Sequence, residues 1–128
     1  MSKSMGEFRE IFLEESQENM TRLLGALRTL ELNSSRSEAV QTLKLAAHSL
    51  RGMSATMGYA DISNVSRAIE LLFLAIEKQG GTPSENAVRC VRDSAGALEK
   101  MLDSVRSGKP DKVQADPLVQ KLSELKPV

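Results

Sequence analysis

Apolar residues return at helical spacing along almost the whole chain, and this pattern constrains the fold more than any other feature. Residues three or four apart share one face of a helix, so the spacing predicts amphipathic helices. No strand pattern competes with it. Two segments lie at about residues 5–32 and 37–57, a third between Asp61 and Gly80, and a fourth between Thr82 and Ser107. A shorter fifth segment starts at Asp116-Pro117.

Each long segment has one apolar stripe that we expect to face the core. The first stripe comprises Phe8, Phe12, Met20, Leu23, Leu27 and Leu30, and the second comprises Val40, Leu43, Ala47, Leu50 and Met57, with Ser54 completing the spacing. The third comprises Ile62, Val65, Ile69, Leu72 and Ile76, and the fourth Val88, Val91, Ala95, Leu98, Leu102 and Val105.

Capping and turn residues predict where these helices begin and end. The predicted start signals are Ser4 with Glu7, Ser35 with Glu38, Asp61, and the run Thr82-Pro83-Ser84-Glu85, in which Thr82 is the cap and Pro83 the first helical residue. Gly58 is placed to end the second helix, because glycine adopts the left-handed conformation that helix ends favour. Gly80-Gly81 is placed to end the third.

Four helices with short connections, each with one apolar face, favour an antiparallel up-down bundle. We therefore predict an all-α fold in which residues 1–108 form a four-helix bundle. Residues 109–128 are expected to form a linker and a short fifth, C-terminal helix that lead to downstream domains absent from this chain. A helix of that length is too short to be stable alone.

Composition excludes several classes of function. The 128 residues include 17 Lys+Arg and 17 Asp+Glu, so no net charge draws the chain to nucleic acid or to an anionic membrane. Aromatic residues are only 3%, which disfavours base stacking, and the single cysteine, Cys90, cannot form an intrachain disulfide or a cysteine-cluster metal site. We find no signal peptide and no run near the ~18 apolar residues of a membrane span, so we expect a cytoplasmic protein without membrane insertion.

His48 is the only histidine in the chain, and helical geometry directs it away from the core. At ~100° per residue, its side chain points roughly 140° from the apolar stripe of the second helix. Lys44, Arg51 and Gly52 lie on the same face, at four residues before, three after and four after the histidine. Gly52 weakens a helix by roughly 1 kcal/mol relative to alanine, and we attribute its presence to the space it leaves beside the ring.

An exposed imidazole between two cations suits a nucleophile that accepts a phosphoryl group. A neutral imidazole has a lone pair on one nitrogen near pH 7, and Lys44 and Arg51 would offset the charge of an added phosphoryl group. A carboxylate bound to the other nitrogen would orient the ring. Glu70 is the best candidate, because it lies twelve residues after Gly58 and His48 lies ten before it, which makes them level in antiparallel helices.

The stretch AAHSLRGMSATMGY resembles the motif of the histidine phosphotransfer (HPt) family, in particular that of the N-terminal domain of the chemotaxis histidine kinase CheA. That motif has a histidine, a lysine three residues later, a glycine four residues later and a glycine-aromatic ending. Here these positions are His48, Arg51, Gly52 and Gly58-Tyr59. The stretch FREIFLEESQENMTRLLGAL is similar to the family's first helix, and SRAIELLFLAI places Glu70 where the family has a glutamate that contacts the phosphorylated histidine. The resemblance covers residues 5 to about 107.

Two positions depart from the family pattern. Arg51 replaces the usual lysine, which keeps the charge but changes the geometry of the donor. Arg67 stands where many chemotaxis kinases have a second histidine, and we expect it to contact either the phosphate or Glu70. Together with Lys44 and Gly52, these two arginines are the residues predicted to support the phosphoryl group.

The resemblance implies that a separate kinase domain phosphorylates His48 from ATP and that a response-regulator aspartate then takes the phosphoryl group. The expected partners are the ATP-binding domain of the kinase and CheY-like and CheB-like response regulators. The domain would be a phosphoacceptor and not a complete enzyme, with no metal or cofactor of its own, because ATP and Mg would be bound by the kinase domain. We expect the isolated domain to be monomeric and to bind no nucleic acid.

Other functions remain open on the sequence alone. The domain could be a stand-alone module of a multistep phosphorelay. It could also be an adaptor bundle, in which case His48, Lys44, Arg51 and Glu70 are ordinary surface residues. A metal or acid–base enzyme is disfavoured, because a lone histidine without neighbouring Asp, Glu or Cys ligands does not form a metal site.

Overall fold

Five helices make up the regular secondary structure of residues 4–111 and 116–125, the parts of the chain that the computed structural model describes. They are α1 (Met5–Leu32), α2 (Ser37–Met57), α3 (Ala60–Lys78), α4 (Glu85–Arg106) and α5 (Asp116–Glu124). The bounds predicted for α1 and α2 are confirmed. Of the described helices, none has the length and hydrophobicity that crossing a bilayer requires.

The first four helices form a closed ring of neighbours. α1 packs on α2, α2 on α3, α3 on α4, and α4 packs back on α1. Because short loops join consecutive helices, they alternate in direction, and the predicted antiparallel up-down four-helix bundle is confirmed. The short helix α5 packs against α3 and α4, where its Leu122 is buried.

All four bundle helices contribute side chains to one aliphatic core. The largest fully buried side chains are Met20, Leu23, Leu27, Leu30, Leu43, Leu50, Ile62, Ile69, Phe73, Ile76, Leu98 and Met101. Most belong to the predicted stripes, but the prediction for Phe8 is wrong, because that residue is 43% exposed. α1 has 28 residues and α2 only 21, so the first turns of α1 extend past the turn between α2 and α3.

The start of α1 is as predicted, whereas the start of α2 is not. Ser4 Oγ accepts a hydrogen bond of 3.2 Å from the backbone N–H of Glu7. The N-cap of α2 is Arg36, which makes no side-chain capping bond. The hydroxyl of Ser35 instead donates to Oδ1 of Asn33 at 2.6 Å, so a local side-chain contact in the loop displaces the predicted capping box.

The starts of α3 and α4 also differ from the predictions. The N-cap of α3 is Tyr59, so Asp61 lies in the first turn instead of capping it. The N-cap of α4 is Ser84, whose Oγ accepts a hydrogen bond of 3.1 Å from the N–H of Ala87. Thr82 and Pro83 therefore precede the helix, because the serine two residues later provides the capping oxygen.

The turn between α2 and α3 fixes the register of these two helices. Gly58 has φ +80°, the left-handed conformation in which a side chain is strained, and it ends α2 as predicted. The N–H of Tyr59 donates to the carbonyl of Ser54 at 2.8 Å. The ring of Tyr59 packs on Phe12 of α1, with 5.0 Å between the ring centroids. With this turn only two residues long, positions equally distant from it lie level on α2 and α3.

The N-cap residue of α3 makes no side-chain capping bond, and a residue that follows α4 provides the capping oxygen instead. The first N–H groups of a helix have no partner within it, and one of them, on Ile62, donates to Oδ2 of Asp111 at 3.0 Å. Asp111 is only 8% exposed. The predicted linker thus contains a residue fixed to the bundle, whereas residues 112–115 lie outside the described residues.

Replacing Asp111 by alanine should lower the free energy of unfolding by about 1 kcal/mol, the usual effect of removing a helix cap. Asp111→Asn should retain most of that stability, because its amide oxygen still accepts from Ile62. Urea denaturation followed by circular dichroism would measure both differences. Equal stability of the wild type and Asp111→Ala would show that the cap contributes nothing.

Candidate functional site

The imidazole of His48 stands on the solvent face of α2. The opposite face of the helix carries Leu43, Ala47 and Leu50, which are fully buried. The His48 side chain is 55% exposed, as the predicted helical phase requires. Reagents and partner proteins therefore have access to the ring from outside the bundle.

One edge of the ring contacts the neighbouring helix. Nδ1 of His48 lies within hydrogen-bonding distance of Oε2 of Glu70 on α3. The Glu70 side chain is only 18% exposed, so it is fixed at the α2–α3 interface. The contact predicted from the register of the two helices is present, while its role in phosphorylation stays a prediction.

The second carboxylate oxygen of Glu70 binds Arg51. Nε of Arg51 donates to Oε1 of Glu70 at 2.7 Å, and Nη2 of the same guanidinium lies 3.0 Å from Nδ1 of His48. The two oxygens of Glu70 are therefore shared between one cation and one ring nitrogen. Because Arg51 and His48 are three residues apart on α2, a single carboxylate reaches both.

These contacts determine which ring nitrogen carries the hydrogen. Partial burial raises the pKa of Glu70, but hydrogen bonds from Arg51 and His48 outweigh this effect and hold the pKa below its ordinary value. Glu70 is therefore an ionised carboxylate at neutral pH and can only accept hydrogen bonds. Its contact with Nδ1 places the hydrogen on that nitrogen, which leaves the lone pair of a neutral ring on Nε2. The approach of Nη2 of Arg51 is then a contact between two donors and not a hydrogen bond.

Lys44 forms an ion pair with Glu77 of α3, a partner that was not predicted. Its Nζ donates to Oε1 of Glu77 at 2.5 Å. Within the described residues, no hydrogen bond joins Lys44 to His48. Glu77 lies seven residues after Glu70, on the same face of α3, so the spacing that identified Glu70 also indicated Glu77. Support of a phosphoryl group by Lys44 stays a prediction.

Of the two contacts expected for Arg67, the one with Glu70 is not formed. Both carboxylate oxygens of Glu70 are taken by His48 and Arg51. Arg67 instead lines a groove of about 460 Å³ between α3 and α5, together with Leu71. In the part of the chain that the structure describes, Arg67 therefore belongs to the α3–α5 side of the helix, and a contact with phosphate stays untested.

Gly52 leaves open space next to His48. A Cβ atom added there would meet no heavy atom within 4 Å, so alanine would fit as well as glycine. Only a side chain larger than that of alanine would therefore crowd the ring of His48. Gly52 and His48 also line a shallow groove of about 510 Å³ whose other wall is α1, with Glu15, Glu18, Asn19 and Arg22. These residues of α1 were not predicted to belong to the site, although the register of α1 and α2 indicates Arg22.

The site shows no arrangement typical of a metal centre. Across residues 4–111 and 116–125, no cluster of three or more His, Cys, Asp or Glu side chains is placed to hold a metal ion. The chemistry available to the site is that of an accessible imidazole nitrogen, an oriented ring and nearby cations. This combination suits a nucleophile.

Comparisons with known proteins agree with this geometry. A sequence model of the Hpt domain matches residues 7–108. The chemotaxis protein CheA of Bacillus subtilis is 29% identical over 104 residues, which is 81% of this chain and 16% of that protein. The chemotaxis protein CheA of Halobacterium salinarum is 26% identical over 103 residues, or 80% of this chain and 15% of that protein. The chain thus spans about a sixth of the length of these relatives.

A solved structure shares the fold. It is the phosphorylated P1 domain of CheA3 in complex with CheY6 from R. sphaeroides, with a TM-score of 0.81 and 17% sequence identity, covering 91% of this chain and 93% of that chain. The family match covers all four bundle helices except the first two residues of α1. It therefore includes α2 and α3, which carry His48 and Glu70. The predicted family is confirmed, and the chain belongs to the Hpt domains, the histidine phosphotransfer family.

Proposed function

We propose that His48 is the phosphoacceptor of a chemotaxis kinase of the CheA type. In this proposal it receives a phosphoryl group from ATP held by a separate kinase domain and passes it to an aspartate of a response regulator. The observation that carries the proposal is the contact between Glu70 and Nδ1 of an exposed ring. This contact leaves the lone pair on Nε2, the nitrogen that is not engaged by α3.

Loading of the ring is a displacement at phosphorus. The lone pair of Nε2 attacks the γ-phosphorus of ATP, the N–P bond forms, and the bond from phosphorus to the bridging oxygen breaks. ADP leaves with the electron pair of that bond. The attacking and leaving atoms must lie in line, so the nucleophilic nitrogen has to be reachable by a large partner. The 55% exposure of the His48 side chain supports this requirement.

Glu70 offsets the charge that the reaction creates on the ring. Once Nε2 is bonded to phosphorus while Nδ1 keeps its hydrogen, the ring carries a formal positive charge. The carboxylate of Glu70, already in contact with Nδ1, stabilises that charge and fixes the ring. Glu70 is thus a positioning residue, since it acts through His48 and not on the phosphoryl group.

Unloading reverses the first step with a different partner. An aspartate oxygen of the response regulator attacks the phosphorus, the N–P bond breaks, and its electron pair returns to Nε2 as a lone pair. The ring is then neutral again, with its hydrogen still on Nδ1. The same exposed nitrogen serves both steps, so kinase and regulator would approach the same face of α2 in turn.

The relatives support this choice of partners. Two of them are chemotaxis proteins named CheA, and the solved P1 domain was phosphorylated and in complex with CheY6. For this chain, the kinase domain and CheY-like and CheB-like regulators are the partners we propose. The coverage of about a sixth of each relative also supports the predicted continuation into further domains.

The test is to identify the modified nitrogen. The chain, labelled with nitrogen-15 and phosphorylated by a purified CheA kinase domain and ATP, should show phosphorus coupled to Nε2 of His48 in the NMR spectrum. Nδ1 should retain its hydrogen. A signal from phosphorus on Nδ1, or on any residue other than His48, would contradict the proposed arrangement.

A further inference from the structure

We infer that Arg22 of α1, held in position by Asn19, forms a phosphoryl-binding subsite on the side of His48 opposite to Glu70. This inference rests on the proposed function, because the ligand is the phosphoryl group on Nε2. Neither residue belongs to the stretch AAHSLRGMSATMGY that contains His48. Both line the groove between α1 and α2 that also contains His48.

The helix register places Arg22 beside His48. Arg22 lies ten residues before the end of α1 at Leu32, and His48 lies eleven residues after the start of α2 at Ser37. Since the two helices are antiparallel and joined by a short loop, these positions are level to within about one residue, or ~1.5 Å. Packed helix axes are ~8–10 Å apart, a distance that a long arginine side chain can bridge.

The orientation of the ring supports the same placement. Nδ1 is directed to Glu70 on α3. Nε2 occupies the other edge of the ring, and α1 is the helix that flanks α2 on its other side. A phosphoryl group on Nε2 is therefore held away from the carboxylate of Glu70 and extends toward solvent and the groove that Arg22 lines.

Arg22 differs from Lys44 and Arg51 in that no carboxylate of the described residues forms an ion pair with it. Lys44 is paired with Glu77 and Arg51 with Glu70, so carboxylates already offset both charges. Over the described ranges, no carboxylate oxygen lies within 4 Å of the Arg22 guanidinium. Its side-chain hydrogen bond is to a neutral group, Oδ1 of Asn19, at 3.3 Å. The positive charge of Arg22 is thus available to an anion.

Asn19 holds Arg22 in place. It is only 7% exposed, and its Nδ2 donates to the backbone carbonyl of Glu15 at 3.0 Å, so its amide is fixed. The amide oxygen is thereby presented to the arginine. A guanidinium has five N–H donors, and one contact with Asn19 leaves others free for phosphoryl oxygens.

The acidic residues of the groove lie at its other end. Glu15 and Glu18 precede Arg22 on α1 by two turns and one turn, and antiparallel packing places them toward the C-terminal part of α2. They are therefore beside Gly52 and Thr56 and farther from the ring. The groove thus has a cationic end next to His48 and an acidic end beyond it, and a phosphoryl group on His48 lies at the cationic end.

The experiment loads the ring without any kinase. Phosphoramidate transfers its phosphoryl group to accessible histidine nitrogens and releases ammonia, and phosphorus NMR then follows the titration of the phosphoryl group on His48. An arginine near the group favours its dianion, so Arg22→Gln should bind the phosphoryl proton about two- to fivefold more tightly than the wild type. Arg22→Lys should recover part of this difference. Arg28→Gln, an exposed arginine elsewhere on α1, serves as the matched control and should titrate like the wild type.

The outcomes separate this inference from the proposed function. Identical titration of the wild type and Arg22→Gln would overturn the subsite, as would an equal shift in Arg28→Gln. A chain that phosphoramidate loads at His48 but that kinase domain and ATP do not load would contradict the proposed function alone. Failure of both reagents to modify His48 would overturn both, because an accessible Nε2 should react.

Discussion

Phosphoryl incorporation from ATP should fall to background when His48 is replaced by glutamine. Glutamine is of similar size and polarity, but its amide has no nitrogen lone pair that can attack phosphorus. His48 is also the only imidazole in the chain, so no neighbour can substitute for it. Radiolabelled ATP and a purified CheA kinase domain, with label counted on the separated chain, would measure the loss.

The fold should survive this substitution. The His48 side chain is 55% exposed and makes its contacts at the helix surface, so the free energy of unfolding should change by less than about 1 kcal/mol. Gln41→Ala, two turns earlier on the same exposed face, is the matched control and should be labelled normally. Wild-type labelling of His48→Gln would exclude the phosphoacceptor role and favour an adaptor bundle.

The second large effect is expected from removing the carboxylate that orients the ring. Glu70→Ala should slow the loading of His48 by about 10- to 100-fold, by analogy with the loss of a carboxylate that supports a metal-bound histidine. The reason is specific to this site. Nη2 of Arg51 lies 3.0 Å from Nδ1, and without Glu70 it can donate to that nitrogen. The hydrogen of the neutral ring then moves to Nε2, where it blocks the lone pair that attacks ATP.

Two further variants test this explanation. Glu70→Gln keeps an oxygen that accepts from Nδ1 and should lose less activity than Glu70→Ala. Adding Arg51→Ala to Glu70→Ala removes the competing donor and should recover part of the rate. Initial rates of labelling, with circular dichroism to confirm the fold, would decide. If Glu70→Ala is labelled at the wild-type rate, Glu70 has no orienting role; if the double variant is slower than the single one, the tautomer explanation is wrong.

Local patterns predicted most of the fold. The bounds of α1 and α2, the left-handed turn at Gly58 and the exposure of His48 all depend on residues within a few positions of one another. Glu70 was also identified, although it is 22 residues from His48, because the turn at Gly58 is so short that it determines the register. When a short turn connects two helices, the spacing of residues along the sequence is enough to predict which residues of the two helices lie side by side.

Predictions failed where a residue had several partners within reach. Ser35 bonds Asn33 instead of forming the predicted capping box with Glu38. Arg67 does not reach Glu70, because it lies on the side of α3 that faces α5. Each outcome depends on side-chain geometry that spacing does not specify. The cap from Asp111 to Ile62 spans 49 residues and has no local signal at all.

The contact between Asp111 and Ile62 changes where the cooperative folding unit ends. Cutting the chain after Gly108 would follow the last bundle helix, yet it would leave the first turn of α3 without its acceptor and uncover the surface that Leu122 seals. Ile62 lies two turns before Glu70 on the same helix. The shortest fragment that preserves the geometry around the imidazole therefore reaches Leu125, and trimming to the bundle alone would loosen the helix that carries its carboxylate support.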